Sequence, residues 1–431
     1  MAEQPLHKPH GVFLDVLSHK SFRFLWIAQI CSQLSANMML FLLALIVYRN
    51  TASNTAVSGL FLAHGIPALL FGMLAGTIVD KLDRRRVLIV CDLLRAVLVL
   101  GLFFFSWHLP LVYALVFLNA LITQFYVPAE APMIPRIVPS HLLMTANSLF
   151  SFTYYSSMAM GFILAGPLLR LLGNQWSLLF LVGLYTLAAY SVSHIRSHAE
   201  ETIGIRYILR TDLWRLVLKV IDDLKNGLAY IRSSPVLLDG LLLLTGTQIT
   251  IAMLGTLGPG FADRVLEIDV RDVSLVIVGP AVLGIILGAL WVGNIGFKIK
   301  PKKLIRTGIL SAGTLLMLVS LTVRLRSIAG FSWLFQNSVI VPLEIVLFFL
   351  LGFANSLLDV PANSSLQKEA EGEMRGRVYG MLGAAIGGVG IVPIVIGGIL
   401  ADTFGVGKVI LLMGFVIFGY GIWRVRYNTD T

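Results

Sequence analysis

Charge is scarce in this chain. Asp, Glu, Lys and Arg make up 13% of its 431 residues, about half the share of a soluble protein. A water-soluble domain of this length is therefore excluded. Cysteine is nearly absent: Cys31 and Cys91 are the only two. Both fall inside apolar runs, so free thiols and no disulfide are expected. The histidines stand singly, mostly at the ends of apolar runs. No Cys or His cluster has metal-ligand spacing, and no nucleotide-binding glycine loop or His-Glu-x-x-His occurs. The chain is thus not expected to be an enzyme or an ATP-driven pump, and no metal or cofactor is expected. Residues 1–23 are polar and basic, without a short apolar core and small-residue cleavage site, so no cleaved leader is expected.

What the chain has in abundance is apolar length, 57% of it being hydrophobic. About twelve stretches, near 24–48, 56–79, 87–106, 109–127, 143–169, 175–194, 236–260, 273–296, 303–323, 338–360, 376–400 and 407–424, are of the length a helix needs to cross a hydrocarbon core of about 30 Å. Lipid offers no partner to backbone polar groups, so the spans must be helical. The formal charge of +10 is unevenly placed. About 25 of the 33 Lys and Arg lie on the side of the N-terminus, and about seven opposite it (Arg49, Arg170, Arg264, Arg271, Arg324, Arg326 and Lys408). By the positive-inside rule both termini are expected in the cytoplasm. The charge is topological, and no nucleic-acid partner is needed to explain it.

One long loop, about 195–235, separates the first six spans from the last six. Within it Leu213, Leu216, Val217, Val220, Ile221, Leu224, Leu228 and Ile231 recur at helical spacing, with Arg215, Lys219 and Lys225 opposite. That pattern predicts an amphipathic helix on the inner membrane surface. The organisation expected is an N-terminal six-helix bundle at 1–194, a cytoplasmic linker at 195–235 and a C-terminal bundle at 236–431. The halves echo each other. Gly72–Ile89 aligns without a gap with Gly288–Ile305, and Val127-Pro128-Ala129 at the end of span four with Val360-Pro361-Ala362 at the end of span ten, each trailing an Asn (Asn119, Asn355). Pseudo-symmetric bundles of this kind arise from parallel repeats.

The turn from Gly72 through Gly76 and Asp80 to Asp83, Arg84, Arg85 and Arg86 resembles the loop between helices two and three of the major facilitator superfamily. The lead-in to span seven, Asp223 to Pro235, is similar to that of the macrolide-efflux and siderophore-export branch. So are Ala146-Asn147-Ser148-Leu149 and Arg375-Gly376-Arg377-Val378. The resemblance implies the all-α major facilitator fold with twelve transmembrane helices, and a monomeric secondary transporter in the cell membrane. It implies alternating access, with proton-coupled export of amphipathic small molecules (drug, macrolide or siderophore type). Uptake, lipid movement or a non-transporting sensor are the alternatives. Drug/proton antiporters often carry a glycine-rich Gly-Pro motif in span five. Here Gly161 and then Ala165-Gly166-Pro167 stand without the full set of flanking glycines.

Three groups of candidate residues follow. Gly72 and Gly76, four apart, are expected to let spans two and three approach closely. Asp80 is the gate residue by resemblance. Asp83, Arg84, Arg85, the Asp92–Arg95 pair, Arg375 and Arg377 are candidate partners in a cytoplasmic latch. Gln29, Gln33 and Asn37 form a polar stripe on span one, and amides in hydrocarbon are costly unless hydrogen-bonded. With Asn119, Thr123, Asn147, Tyr154, Tyr155, Gln248 and Asn355 they suggest a neutral, polar and aromatic substrate cavity. Glu344, Asp239 and Asp359 are the carboxyl groups placed to carry a proton across the membrane. The topology is checked by labelling: His108→Cys is expected to react with an impermeant thiol reagent in intact cells, and Lys300→Cys only after permeabilisation. The reverse pattern would place both termini outside.

Overall fold

The computed structural model describes residues 12–195, 229–326, 337–370 and 374–427. Within them every regular element is a helix, and no strand occurs. A short helix α1 (Val12–Ser18) precedes α2 (Lys20–Thr51), α3 (Asn54–Val79), α4 (Arg84–Phe105) and α5 (Leu109–Glu130). Then come α6 (Leu143–Ser193), α7 (Pro235–Phe261), α8 (Gly279–Asn294) and α9 (Pro301–Arg326). The last are α10 (Asn337–Glu369), α11 (Met374–Ala384), α12 (Ile391–Phe404) and α13 (Val406–Tyr427). The amphipathic helix expected in the central linker falls almost wholly outside the described residues.

Eleven of these stretches are long and apolar enough to cross a membrane. One of them, α6, has 51 residues, which at 1.5 Å per residue would reach roughly 75 Å, more than twice the hydrocarbon thickness. It does not run straight. Gly173 leaves the helical region at φ 77° and ψ 179°, a conformation that costs glycine little. Spans five and six meet there, which accounts for the twelve crossings expected.

The described chain falls into two compact units. One holds residues 12–40, 70–161 and 172–195; the other holds 41–69, 162–171 and the residues from 229 onward. The first unit has a core built from Phe22, Leu25, Val79, Leu88, Tyr126, Ile134, Ala146, Phe150 and Val192. Val16 on α1 joins it, so part of the polar leader packs inward. Both cysteines are free and buried. In the second unit Leu237, Leu244, Ile309, Leu358, Leu366 and Val378 form the matching core.

Close backbone approach in the second unit rests on glycine. A Cβ on Gly284 would stand 1.9 Å from the Phe349 carbonyl, and one on Gly352 would stand 1.9 Å from that of Ala281. Thus α8 and α10 touch backbone to backbone, as small residues permit in membranes. Gly76 is different. Nothing lies within 4 Å of where its Cβ would be, and Gly72 faces the Gln124 side chain on α5 at an ordinary 3.5 Å. The close approach of spans two and three expected from this pair is therefore not what these glycines provide, because their open faces point elsewhere. The first proline motif does sit at the end of its helix, α5 stopping at Glu130, whereas α10 continues past Pro361 to Glu369.

The second unit also ties the start of α3 to α12. Ser53, Asn54 and Thr55 surround the carboxylate of Asp402. The backbone N–H groups of Asn54 and Thr55 donate to it at 2.9 Å each, and the Ser53 and Thr55 hydroxyls at 2.6 and 2.7 Å. A carboxylate from one helix thus caps the N-terminus of another, and Arg264 stands 3.6 Å away on the same group. Between two spans, Asp269 caps a short turn and grips the Arg271 guanidinium. Those bonds hold its carboxyl down at about 2, below the usual value of about 3.9. Its stabilising contribution is complete above the unfolded value and is lost only as the pH falls towards 2, so this turn does not titrate near neutrality.

Gly76→Ala is expected to leave the unfolding temperature in detergent unchanged within about 1 °C. Gly352→Ala is expected to lower it by several degrees or to prevent assembly, since the added methyl meets backbone that cannot move aside. Equal tolerance at both sites would contradict the packing.

Candidate functional site

In the first unit the latch candidates are locally bound. Asp80 is exposed, with its side chain 66% accessible, and pairs with Arg84 one turn on at 3.3 Å. Asp83 is the N-cap of α4, accepting from the Arg85 and Arg86 backbone at 3.0 and 3.4 Å. Arg85 donates to the Val192 and Ser193 carbonyls and so fastens the turn to the end of span six. The backbone of Arg375 and Arg377 lies in α11; their side chains are outside what is described.

The Asp92–Arg95 pair is not at the water edge. Both side chains are buried, at 0% and 2% exposure, with Nη1 to Oδ1 at 3.4 Å. Ser32 on α2 bridges them, donating to Asp92 Oδ1 at 2.8 Å and accepting from Arg95 at 2.9 Å. The guanidinium carbon lies 4.4 Å from the centre of the Tyr126 ring and 5.7 Å from that of Tyr185, within cation–π range. Arg95 is therefore an interior group. One residue in this neighbourhood escaped the sequence reading: Glu130, buried at 6% exposure, whose Oε1 accepts from the Tyr126 hydroxyl at 3.4 Å. Counted from the end of the apolar run it reads as interfacial. The signal was its register, since Asn119, Thr123, Tyr126 and Glu130 recur at i, i+4, i+7 and i+11 on one face of α5.

The cavity candidates divide. Gln29 is buried and donates to the Phe150 carbonyl at 3.1 Å, joining α2 to α6. Asn119 is buried, and Thr123 donates to its carbonyl. Gln33 and Asn37 are half-buried, Asn37 donating to the Gln33 carbonyl. Asn147, Tyr154 and Tyr155 are exposed, the two rings edge to face at 5.4 Å. In the second unit Gln248 and Asn355 are half-buried.

The three proton-carrier candidates, all in the second unit, differ sharply. Asp239 is engaged by Arg424 through both carboxylate oxygens at 2.5 Å each, a fork-to-fork ion pair. Asp359 is half-buried and accepts from Thr247 at 3.4 Å. Glu344 has no exposure; Thr322 donates to its Oε1 at 2.6 Å, and among the described residues Oε2 is buried with no hydrogen-bond partner. Among the described residues no group of three or more His, Cys, Asp and Glu could hold a metal ion.

Multiple apolar helices with interior carboxylates and polar faces of amides and phenols mark a polytopic membrane protein. The comparisons agree. The Major Facilitator Superfamily model matches residues 25–390, and the chain belongs to that family. It is 23% identical over 412 residues to macrolide efflux protein A of Streptococcus pyogenes, covering 92% of this chain and 93% of that one. To the multidrug efflux pump Tap of Mycolicibacterium fortuitum it is 24% identical over 395 residues, covering 88% and 89%. Among solved structures, the nucleoside transporter NupG superposes with a TM-score of 0.69 at 13% identity, covering 95% of this chain and all of that one. That likeness shows the shared fold alone. Family and relatives describe a transporter and not an enzyme.

The Asp239–Arg424 pair is expected to behave as a structural clamp. Asp239→Asn or Arg424→Gln alone should cost on the order of 1 to 3 kcal/mol, less than a fully buried pair because the Asp239 side chain keeps 35% exposure. The double variant should recover much of that loss in a thermal-unfolding cycle. Additive losses would show that the two groups do not depend on each other.

Proposed function

We propose that this chain exports amphipathic small molecules in exchange for protons, by alternating access of two six-helix bundles, 1–194 and 236–431, joined by the linker at 195–235. The coupling is carried by one observation: Glu344 sits fully buried and, among the described residues, is held by a single hydroxyl with its second oxygen unpartnered. An ionised carboxylate there would forgo hydration worth several kcal/mol, so protonation and deprotonation must accompany a change of surroundings. Asp359, half-buried with one hydroxyl partner, is the second carrier. Asp239 is left to its arginine.

Export is supported by the named relatives, one a macrolide efflux protein and one a multidrug efflux pump. The half-buried amides Gln33, Asn37, Gln248 and Asn355 and the exposed Tyr154 and Tyr155 offer hydrogen bonds and aromatic area without fixed charge, a chemistry suited to large neutral or weakly basic amphiphiles. The Asp80 turn is the cytoplasmic gate in this reading, both termini are cytoplasmic, and the cell membrane is the site of action. The Asp402 cap at the opposite helix ends would have to open when the cytoplasmic face closes.

The test is proton flux in proteoliposomes carrying an imposed pH gradient, over a panel that includes macrolides and amphipathic cations. Wild type is expected to move protons against a compound of the panel. Glu344→Gln is expected to lower that flux at least tenfold with compound binding retained. Unchanged flux in Glu344→Gln would take the coupling away from this residue. Movement of a compound without any proton flux would overturn antiport, and accumulation with the gradient in the same direction would overturn export.

A further inference from the structure

The buried polar set of the first unit has a charge count that does not close. It contains Cys31 and Ser32 on α2, Cys91, Asp92 and Arg95 on α4, Asn119, Tyr126 and Glu130 on α5, and Tyr185 on α6. Two of these groups are carboxyls and one is a guanidinium. Asp92, Arg95 and Glu130 are exposed by 0%, 2% and 6%. Asp92 and Arg95 are close enough to act on Glu130 by charge, and among the described residues no other cation does. With both carboxyls ionised, the interior would hold one uncompensated negative charge. A lone buried charge costs several kcal/mol even after relaxation. A second observation points the same way: Asp92 Oδ2 lies in the fully buried part of the set with no hydrogen-bond partner, although ionised carboxylate oxygens are among the best acceptors a protein has.

We propose that Asp92, Arg95 and Glu130 form a binding site for one exchangeable proton, shared between the two carboxyl groups and balanced by the single guanidinium. Ser32 and Tyr126 wire the site. The Ser32 hydroxyl links Asp92 to Arg95, and the Tyr126 ring lies under the guanidinium while its hydroxyl reaches Glu130. Glu130 alone of the two carboxyls keeps some exposed surface, so the proton enters and leaves through it. Asp92 is the sealed inner member. The four helices that meet here hold their packing only while the charges balance, so proton occupancy and the arrangement of α2, α4, α5 and α6 are linked. This site is separate from Glu344 and stands whether or not that residue carries the transport-coupled proton.

The test counts protonated carboxyls by infrared spectroscopy of the purified protein in lipid at pH 7, reading the carbonyl stretch of the neutral acid. Glu130→Gln is expected to remove one protonated carboxyl per molecule. Asp92→Asn is expected to remove one as well, although Glu130 is untouched, because a single carboxylate then faces a single guanidinium. Arg95→Gln is expected to add one, and Glu344→Gln to leave this signal in place. A spectrum unchanged by Glu130→Gln would overturn the proposal. So would an Asp92→Asn protein that keeps the full signal, since Glu130 would then hold its proton without sharing it. Asp92→Asn tests the same balance from the other side, so the question stays decidable if the Glu130 variant does not assemble.

Discussion

The cost of holding charge away from water governs this molecule. A chain in which most side chains are apolar can place ionised groups at helix ends, where water reaches them, or inside, where each must find a partner. Among the described residues, Asp92, Arg95, Glu130 and Glu344 are the charged types buried below a tenth of their surface. Asp92 and Arg95 meet each other, Glu130 reaches a tyrosine, and Glu344 has a single threonine. Charges nearer the helix ends are satisfied there: Asp83 by the first turn of its own helix α4, Asp402 by the first turn of the distant α3, and Asp239 by the distant Arg424.

That constraint gives the helix termini their character. An α-helix leaves its first N–H groups unpaired, and at a membrane surface a carboxylate is the strongest available acceptor. Asp83 serves its own helix, whereas Asp402 serves a helix far away in the chain. The same bond geometry thus closes a turn in one place and joins distant segments in the other. Backbone contact between α8 and α10 follows a related logic, since lipid offers no hydrophobic reward for helix association and close approach must supply the attraction.

In the proposed mechanism, function rests on the few interior groups whose partners are incomplete among the described residues. A fully satisfied pair such as Asp239–Arg424 holds its helices together, because removing either member strands the other. Glu344, and the Asp92–Arg95–Glu130 set, are held by fewer bonds than their ionised forms require. Groups in that condition favour their neutral form, which is why the proposed proton exchange is assigned to them.

Much of this was legible in the residues themselves. Span number, helical character and membership of the family follow from apolar length and from short motifs such as Gly72–Arg86, because hydropathy is a sum over neighbours and lipid permits one backbone solution. Glu344 could be singled out as an intramembrane carboxyl from its position alone. What the linear chain did not disclose is partnership. Arg424 lies 185 positions from Asp239 and Asp402 lies 348 from Asn54, and Glu130, just past an apolar run, is carried inward by α5. Gly76 looked like a packing glycine but faces open space, while Gly352 bears the contact. Composition and periodicity determined that these residues enter a membrane; which of them meet depends on how remote helices cross, and tertiary structure alone decides that.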